Sequence, residues 1–230
     1  MHNVQKLRTL TAAVFLSPPL LSGMIEPVWA AVSDNVTVTR EKVSVETRTF
    51  DHANPGPEVP LKGREAATTH CNYGYDVEVS FQNESSKKNG DLYIGSFKVS
   101  RIAVRLSLPV TLWLPDTVNR RLKEHEDGHR QIYEEIYNGA DKTAQKQAEM
   151  LIGETFIGQG RTLEEAQDDA KRKAGIELNR RYCAEILTYA KLVTQLYDNA
   201  TRSGTNRTPV FFAIRESFLQ AWIIGLTRKH

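Results

Sequence analysis

Apolar and polar residues alternate with a period of two over much of the stretch from Asn35 to Leu114, the pattern of half-buried strands. Val36 and Val38, then Val43 and Val45, mark it in "VTVTREKVSVETRTF", and Val77, Val79 and Phe81 continue it in "YDVEVSFQ". "LYIGSFKVSRIAVRLSLPVTLWLP" is rich in β-branched and aromatic residues. Turn chemistry separates these runs at "NPGPEVP" (Asn54 to Pro60) and at "NESSKKNGD" (Asn83 to Asp91), whose Asn-Gly pair favours a hairpin. An antiparallel sheet is the expectation.

After Pro115 the period becomes helical. Asp116 is placed to cap a first turn, and Val118, Leu122, His125, His129, Ile132 and Ile136 follow at spacings of 4, 3, 4, 3 and 4. Both histidines therefore fall on the core-facing stripe. "DKTAQKQAEMLI" predicts a second helix, and "GETFIGQG" breaks the period with three glycines. Thr162, with Glu165 three residues on, forms a capping-box signature that opens a long helical run to "YDNA", with Gly175 as a candidate interruption. In the tail, Phe211, Ile214, Phe218, Trp222 and Leu226 recur at helical spacing around a charged middle. That segment reads as too short and too charged to span a bilayer. Packing on the core and weak contact with a membrane surface are its two readings.

The fold class that follows is α+β: an N-terminal antiparallel sheet (31–115), then a helical half (116–230) carrying the histidine pair, in one domain of residues 31–230. The length of 230 residues suits a single core, and the near-balanced net charge of +2, without a basic block, argues against nucleic acid as a partner. Residues 1–30 read as a signal peptide: Lys6 and Arg8, an apolar stretch, then small residues ending at Ala30. The protein is thus expected to be exported, to a periplasmic or extracellular location. Export permits disulfides, and the two cysteines, Cys71 and Cys183, are expected to pair.

The chemistry concentrates in "KEHEDGHRQIYEEI". Positions i and i+4 share a helix face, so His125 and His129 can each offer a ring nitrogen to one ion. Glu126, one position round, can reach an activated water without ligating the metal, the arrangement of zinc peptidases. An apolar stripe interrupted by two polar rings, and a mid-helix Gly128 that costs about 1 kcal/mol relative to alanine, fit a metal site better than an ordinary helix. The bare side at Gly128 would let a strand or substrate backbone pass close. A third ligand is required. No further histidine follows until His230, which leaves carboxylates: Glu154, Glu164 (with Asp168 four residues on) and Asp198 stand as candidates. His70 reads as incidental. Tyr133 and Tyr137 could stabilise an oxyanion, although packing explains them as well.

"LKEHEDGHRQIYEE", the strand region with Cys71 before it, and Cys183 on a later helix together resemble a bacterial family of exported proteins with an H-E-x-G-H helix, described as predicted secreted zinc-dependent proteases. The likeness spans most of the chain after residue 30, and its sharply specific part is the H-E-x-G-H core. It implies His125 and His129 as zinc ligands, one Zn2+ per chain, and Glu126 as catalytic acid/base. The expected function is that of an exported zinc metallopeptidase acting on a peptide or protein substrate, which could add as a strand to the sheet edge. The alternative is a non-enzymatic envelope protein of the same fold. Four N-x-S/T sequons (Asn35, Asn83, Asn199, Asn206) would matter only in a glycosylating host.

Overall fold

The computed structural model describes residues 34–61 and 65–227, with the side chains of Asn83 and Glu84 excepted. The signal-peptide expectation for residues 1–30 lies outside the described residues. Two strands, β1 (Val36–Arg40) and β2 (Ser44–Phe50), are followed by β3 (Thr68–Cys71) and by the hairpin of β4 (Gly74–Asn89) and β5 (Leu92–Ser107). β6 (Pro109–Pro115) closes the strand-rich part. Helices α1 (Arg120–Asn138) and α2 (Ala140–Glu149), strand β7 (Thr155–Gly160), and helices α3 (Leu163–Thr201) and α4 (Val210–Thr227) follow. The fold is mixed α+β, N-terminal sheets followed by helices.

The strands form two sheets rather than the single antiparallel one expected. In the first, β5 pairs antiparallel with β4 on one side; on the other it pairs with β7 through Tyr93–Lys98 and in parallel with β1 through Ile102–Leu106. In the second, β6 lies between β2, parallel to it, and β3, antiparallel to it. Alternation reports which residues face inward, not which strand lies alongside. The link between β1 and β2 is only three residues, and instead of turning back it carries the chain from the first sheet to the second. β5 and β6 cross over beside it. Pro109, lacking an N–H, sits where the ladder breaks.

The hairpin turns at Gly90, as the Asn-Gly pair predicts, with φ of 61°. Along β5 the buried positions are first odd (Gly95, Phe97, Val99) and then even (Ile102, Val104, Leu106). A bulge causes the switch: Arg101 faces Ser80 but Val99 faces Phe81, leaving Ser100 as the extra residue, its hydroxyl bonded to the Ser80 carbonyl at 3.1 Å. Without that residue one half of the strand would turn its apolar side to solvent.

Helix starts differ in detail from expectation. Asn119, not Asp116, caps α1, accepting from the Leu122 N–H at 2.9 Å, while the Asp116 N–H bonds the Phe50 carbonyl. Thr162 does cap α3, but the Glu165 carboxylate reaches the Arg161 N–H instead of Thr162. α3 then runs 39 residues without a break. Gly175 lies against Val77, its carbonyl accepting from the Tyr75 hydroxyl. "GETFIGQG", expected as an interruption, contains β7. A Cβ at Gly158 would overlap the Ala166 carbonyl, so this glycine lets α3 lie directly on the strand.

A principal core forms between α1, α2, α3 and the sheets, built from Ile102, Leu106, Leu108, Ile132, Leu178 and Val193 among others. Tyr137 is fully buried in it, its one hydroxyl proton shared between the Leu106 carbonyl at 2.8 Å and the Glu41 carbonyl at 3.1 Å, which gives that residue a structural role.

The expected Cys71–Cys183 disulfide is not formed: both thiols are free. Cys71 ends β3, and Cys183 lies on α3 with its Sγ 2.9 Å from Asn179 Oδ1 one turn back. Having just two cysteines does not place them in bonding geometry. Burial pushes the Cys71 thiol up to about 12 and raises Cys183 as well.

α4 also departs from expectation. It buries Ala213, Ser217 and Ala221, while Phe211, Phe212, Leu219, Trp222, Ile223 and Leu226 are exposed. At 18 residues it is long and apolar enough, by length and composition alone, to cross a membrane.

Candidate metal centre

α1 carries His125 and His129 one turn apart, and the last turn of α3 brings Asp198 to both. His129 Nε2 lies 3.0 Å and His125 Nε2 3.4 Å from the same oxygen, Asp198 Oδ1. The side chains of the histidines are 6% and 12% exposed, so both rings are largely shielded from solvent, while Asp198 is 40% exposed. One donor atom from each residue lies within 4.8 Å of the others, and this group could hold a metal ion. Of the three carboxylates considered for the third position, Asp198 is the one that arrives. Glu154 is ion-paired with Arg181 at 3.2 Å. Glu164 is in the first turn of α3, thirty-four residues before Asp198 on the same helix and so roughly 50 Å away.

The second layer sets the ring orientations. Thr201 Oγ1 donates its one proton to the Tyr197 carbonyl at 2.7 Å and lies 3.3 Å from His125 Nδ1. It can therefore only accept from that nitrogen, which puts a proton on Nδ1 and turns Nε2 toward Asp198, as a donor when the ring is charged and as a lone pair when it is neutral. With the ring neutral, a cation between that nitrogen and the carboxylate would satisfy both. The Tyr197 ring stacks on His125 (centroids 5.1 Å apart, 9° between planes), and its hydroxyl donates to the His125 carbonyl at 3.2 Å. His129 is held edge-on by Tyr197 and flanked by Tyr133; its Nδ1 is buried with no partner among the described residues.

Two glycines permit this packing. A Cβ at Gly128 would overlap the Tyr197 hydroxyl, so the bare side of α1 receives Tyr197, not the strand or substrate backbone anticipated from the sequence. At the end of α3, Arg202, Ser203 and Gly204 all have positive φ, and a Cβ at Gly204 would stand 2.9 Å from the His125 ring.

Glu126 is buried, and the single hydroxyl proton of Thr69 on β3 lies within reach of both its carbonyl (2.9 Å) and its Oε2 (2.8 Å). Burial raises the Glu126 carboxyl above the ordinary range against the pull of His129, Thr69 and His125. Asp198 goes the other way: burial would raise it, but the hydrogen bonds and charges of His125 and His129 hold it well below the carboxylate range.

The group opens into a cleft of about 1190 Å³ between α1, the end of α3 and the β3 side, with Thr68, Thr69 and His70 on the β3 wall and Tyr133 and Thr194 also lining it. β3 is an edge of its sheet. His70 is exposed on this wall, outside the metal-ligand group. Thr69, Tyr197, Thr201 and Gly204 were not singled out from the sequence. Val193, Tyr197 and Thr201 continue the inward stripe of α3 at spacings of four, a signal that points to the end of that helix beside Asp198. Comparisons with protein-family models, with curated proteins and with solved structures return no match.

Proposed function

We propose that this protein is a zinc-dependent peptidase, with His125, His129 and Asp198 as ligands and Glu126 as catalytic acid/base. The observation that carries the reading is the convergence of two imidazole Nε2 atoms and one carboxylate oxygen beside a buried glutamate at an open cleft. Two histidines plus a carboxylate is a ligand set of catalytic zinc, which leaves a coordination position free. When bound, zinc supplies a water of lowered pKa and polarisation of the scissile carbonyl.

The residues of this chain do the rest. Glu126, with Oε2 anchored by Thr69, presents its other oxygen to take the proton from the attacking water and deliver it to the leaving amine. Thr69 fixes that carboxylate, and it belongs to the same edge strand along which an extended peptide can pair. Substrate alignment and base orientation are thereby coupled through one residue. Zincin-like helix chemistry, zinc as the metal, a peptide or protein substrate and an exported location all belong to this proposal.

Elemental analysis after exhaustive dialysis, with hydrolysis of a labelled unfolded protein, tests it. The expected result is about one zinc per chain, lost in His129→Ala and retained in Glu126→Gln, with hydrolysis abolished in both. Glu126→Gln with unchanged activity, or no zinc after refolding in its presence, would favour the non-enzymatic envelope protein instead.

A further inference from the structure

Beyond that reading, and independently of any metal, we propose that α4 seats the protein on the surface of an anionic lipid bilayer. At 100° per residue, Phe211, Trp222, Leu226, Leu219, Phe212 and Ile223 fall within an arc of about 120° on the side opposite the buried Ala213–Ser217–Ala221 face. Their exposures are 59, 58, 45, 56, 65 and 47% respectively. Soluble surface helices put charge on that side. Here the single charge within the arc is Arg215, its guanidinium 5.3 Å from the centre of the Phe211 ring.

Charge selects the occupant. From Arg202 to His230 the sequence holds five bases (Arg202, Arg207, Arg215, Arg228, Lys229) against one acid, Glu216. Lys and Arg beside a buried apolar face are what anionic headgroups attract, at about 1 kcal/mol for each base near the surface. A second copy of this chain would set those bases against each other. The apolar surface also continues off the helix, into a groove of about 780 Å³ where Phe211, Ile214 and Phe218 meet Ile136, Ile186 and Tyr189. α4 lies on the membrane and does not cross it, because its buried Ala213–Ser217–Ala221 face, with Ala213 and Ala221 in the core, holds it lengthwise against the domain. Trp222, near its C-terminal end, suits the headgroup level.

The test uses the full chain and phosphatidylcholine vesicles with and without phosphatidylglycerol. Phe212→Glu with Leu219→Glu should lower partitioning onto the anionic vesicles at least about ten-fold while leaving the thermal midpoint unchanged, since both side chains point to solvent. A second measurement needs no change to those residues: lipids brominated in their acyl chains should quench tryptophan emission, and Trp222→Phe should remove that part of the quenching. Equal partitioning of the two chains, or quenching untouched by Trp222→Phe, would overturn the proposal. So would a dimer in sedimentation that the paired glutamates dissociate without any lipid dependence.

Discussion

Gly128→Ala separates a helix's intrinsic preference from the demands of the site. In a solvated mid-helix position alanine would be favoured by about 1 kcal/mol. At position 128 the new Cβ would stand 2.5 Å from Tyr197 Cζ and overlap the hydroxyl oxygen. Overpacking of this kind costs about 1 to 3 kcal/mol, and displacing Tyr197 also breaks its hydrogen bond to the His125 carbonyl, worth about 1 kcal/mol. The balance is a net loss of about 1 to 3 kcal/mol, opposite in sign to propensity. Urea denaturation in a chelator, which excludes metal linkage, reads the difference as a lower midpoint. Repeating the substitution in a Tyr197→Leu background removes the hydroxyl and the far end of the ring, and there alanine should stabilise. If Gly128→Ala stabilises the unaltered chain, or if the two substitutions couple by less than about 0.5 kcal/mol, the account of Gly128 as the seat of Tyr197 is wrong.

Thr201→Val leaves His125 Nδ1 without its acceptor and should weaken zinc binding about 10- to 100-fold in competition with a chelating dye, with little change in the fold. Thiol titration in denaturant without reductant should count two free thiols. In the native chain Cys71 should be alkylated far more slowly at pH 8, because burial pushes its thiol up to about 12. Asp169, bonded by Lys173, and Glu177, bonded by Arg180 and Arg181, are each lowered to about 2 from 3.8 and 4.5. Their stabilisation is therefore present above those ordinary values and lost as pH falls through about 2. The urea midpoint should drop over that window, less so in Asp169→Asn with Glu177→Gln or in 1 M salt, since both pairs are solvent-screened.

Local features were the legible ones. The strand regions, the Asn-Gly turn, the Thr162 cap and the placing of His125 and His129 on the inward stripe follow from periodicity and turn chemistry, which act within a few residues. Partner choice was not legible: β1 and β2 pair in parallel with strands more than sixty residues away. Nor was the third member of the candidate group, because Glu154, Glu164 and Asp198 are equally eligible carboxylates in the sequence until the end of α3 is brought to α1. The cysteines show the same limit, since their number and compartment say nothing of distance. Gly128 is the instructive case, for its cost to the helix was read as a sign of a metal site with a strand or substrate backbone passing close, whereas the group filling the space is a tyrosine from α3.

The ligand group joins residues 69 positions apart, His129 and Asp198, through a helix that must first be docked along its length. A partly folded chain carries only the His125–His129 pair, a weak bidentate trap. High-affinity metal loading at this group would therefore report completed folding, and the metal would in turn draw the chain into its native state by mass action. Hydrolytic competence of the proposed kind would be acquired last, after the final turn of α3 closes over His125, so that incompletely folded chains stay inert toward their surroundings and toward one another.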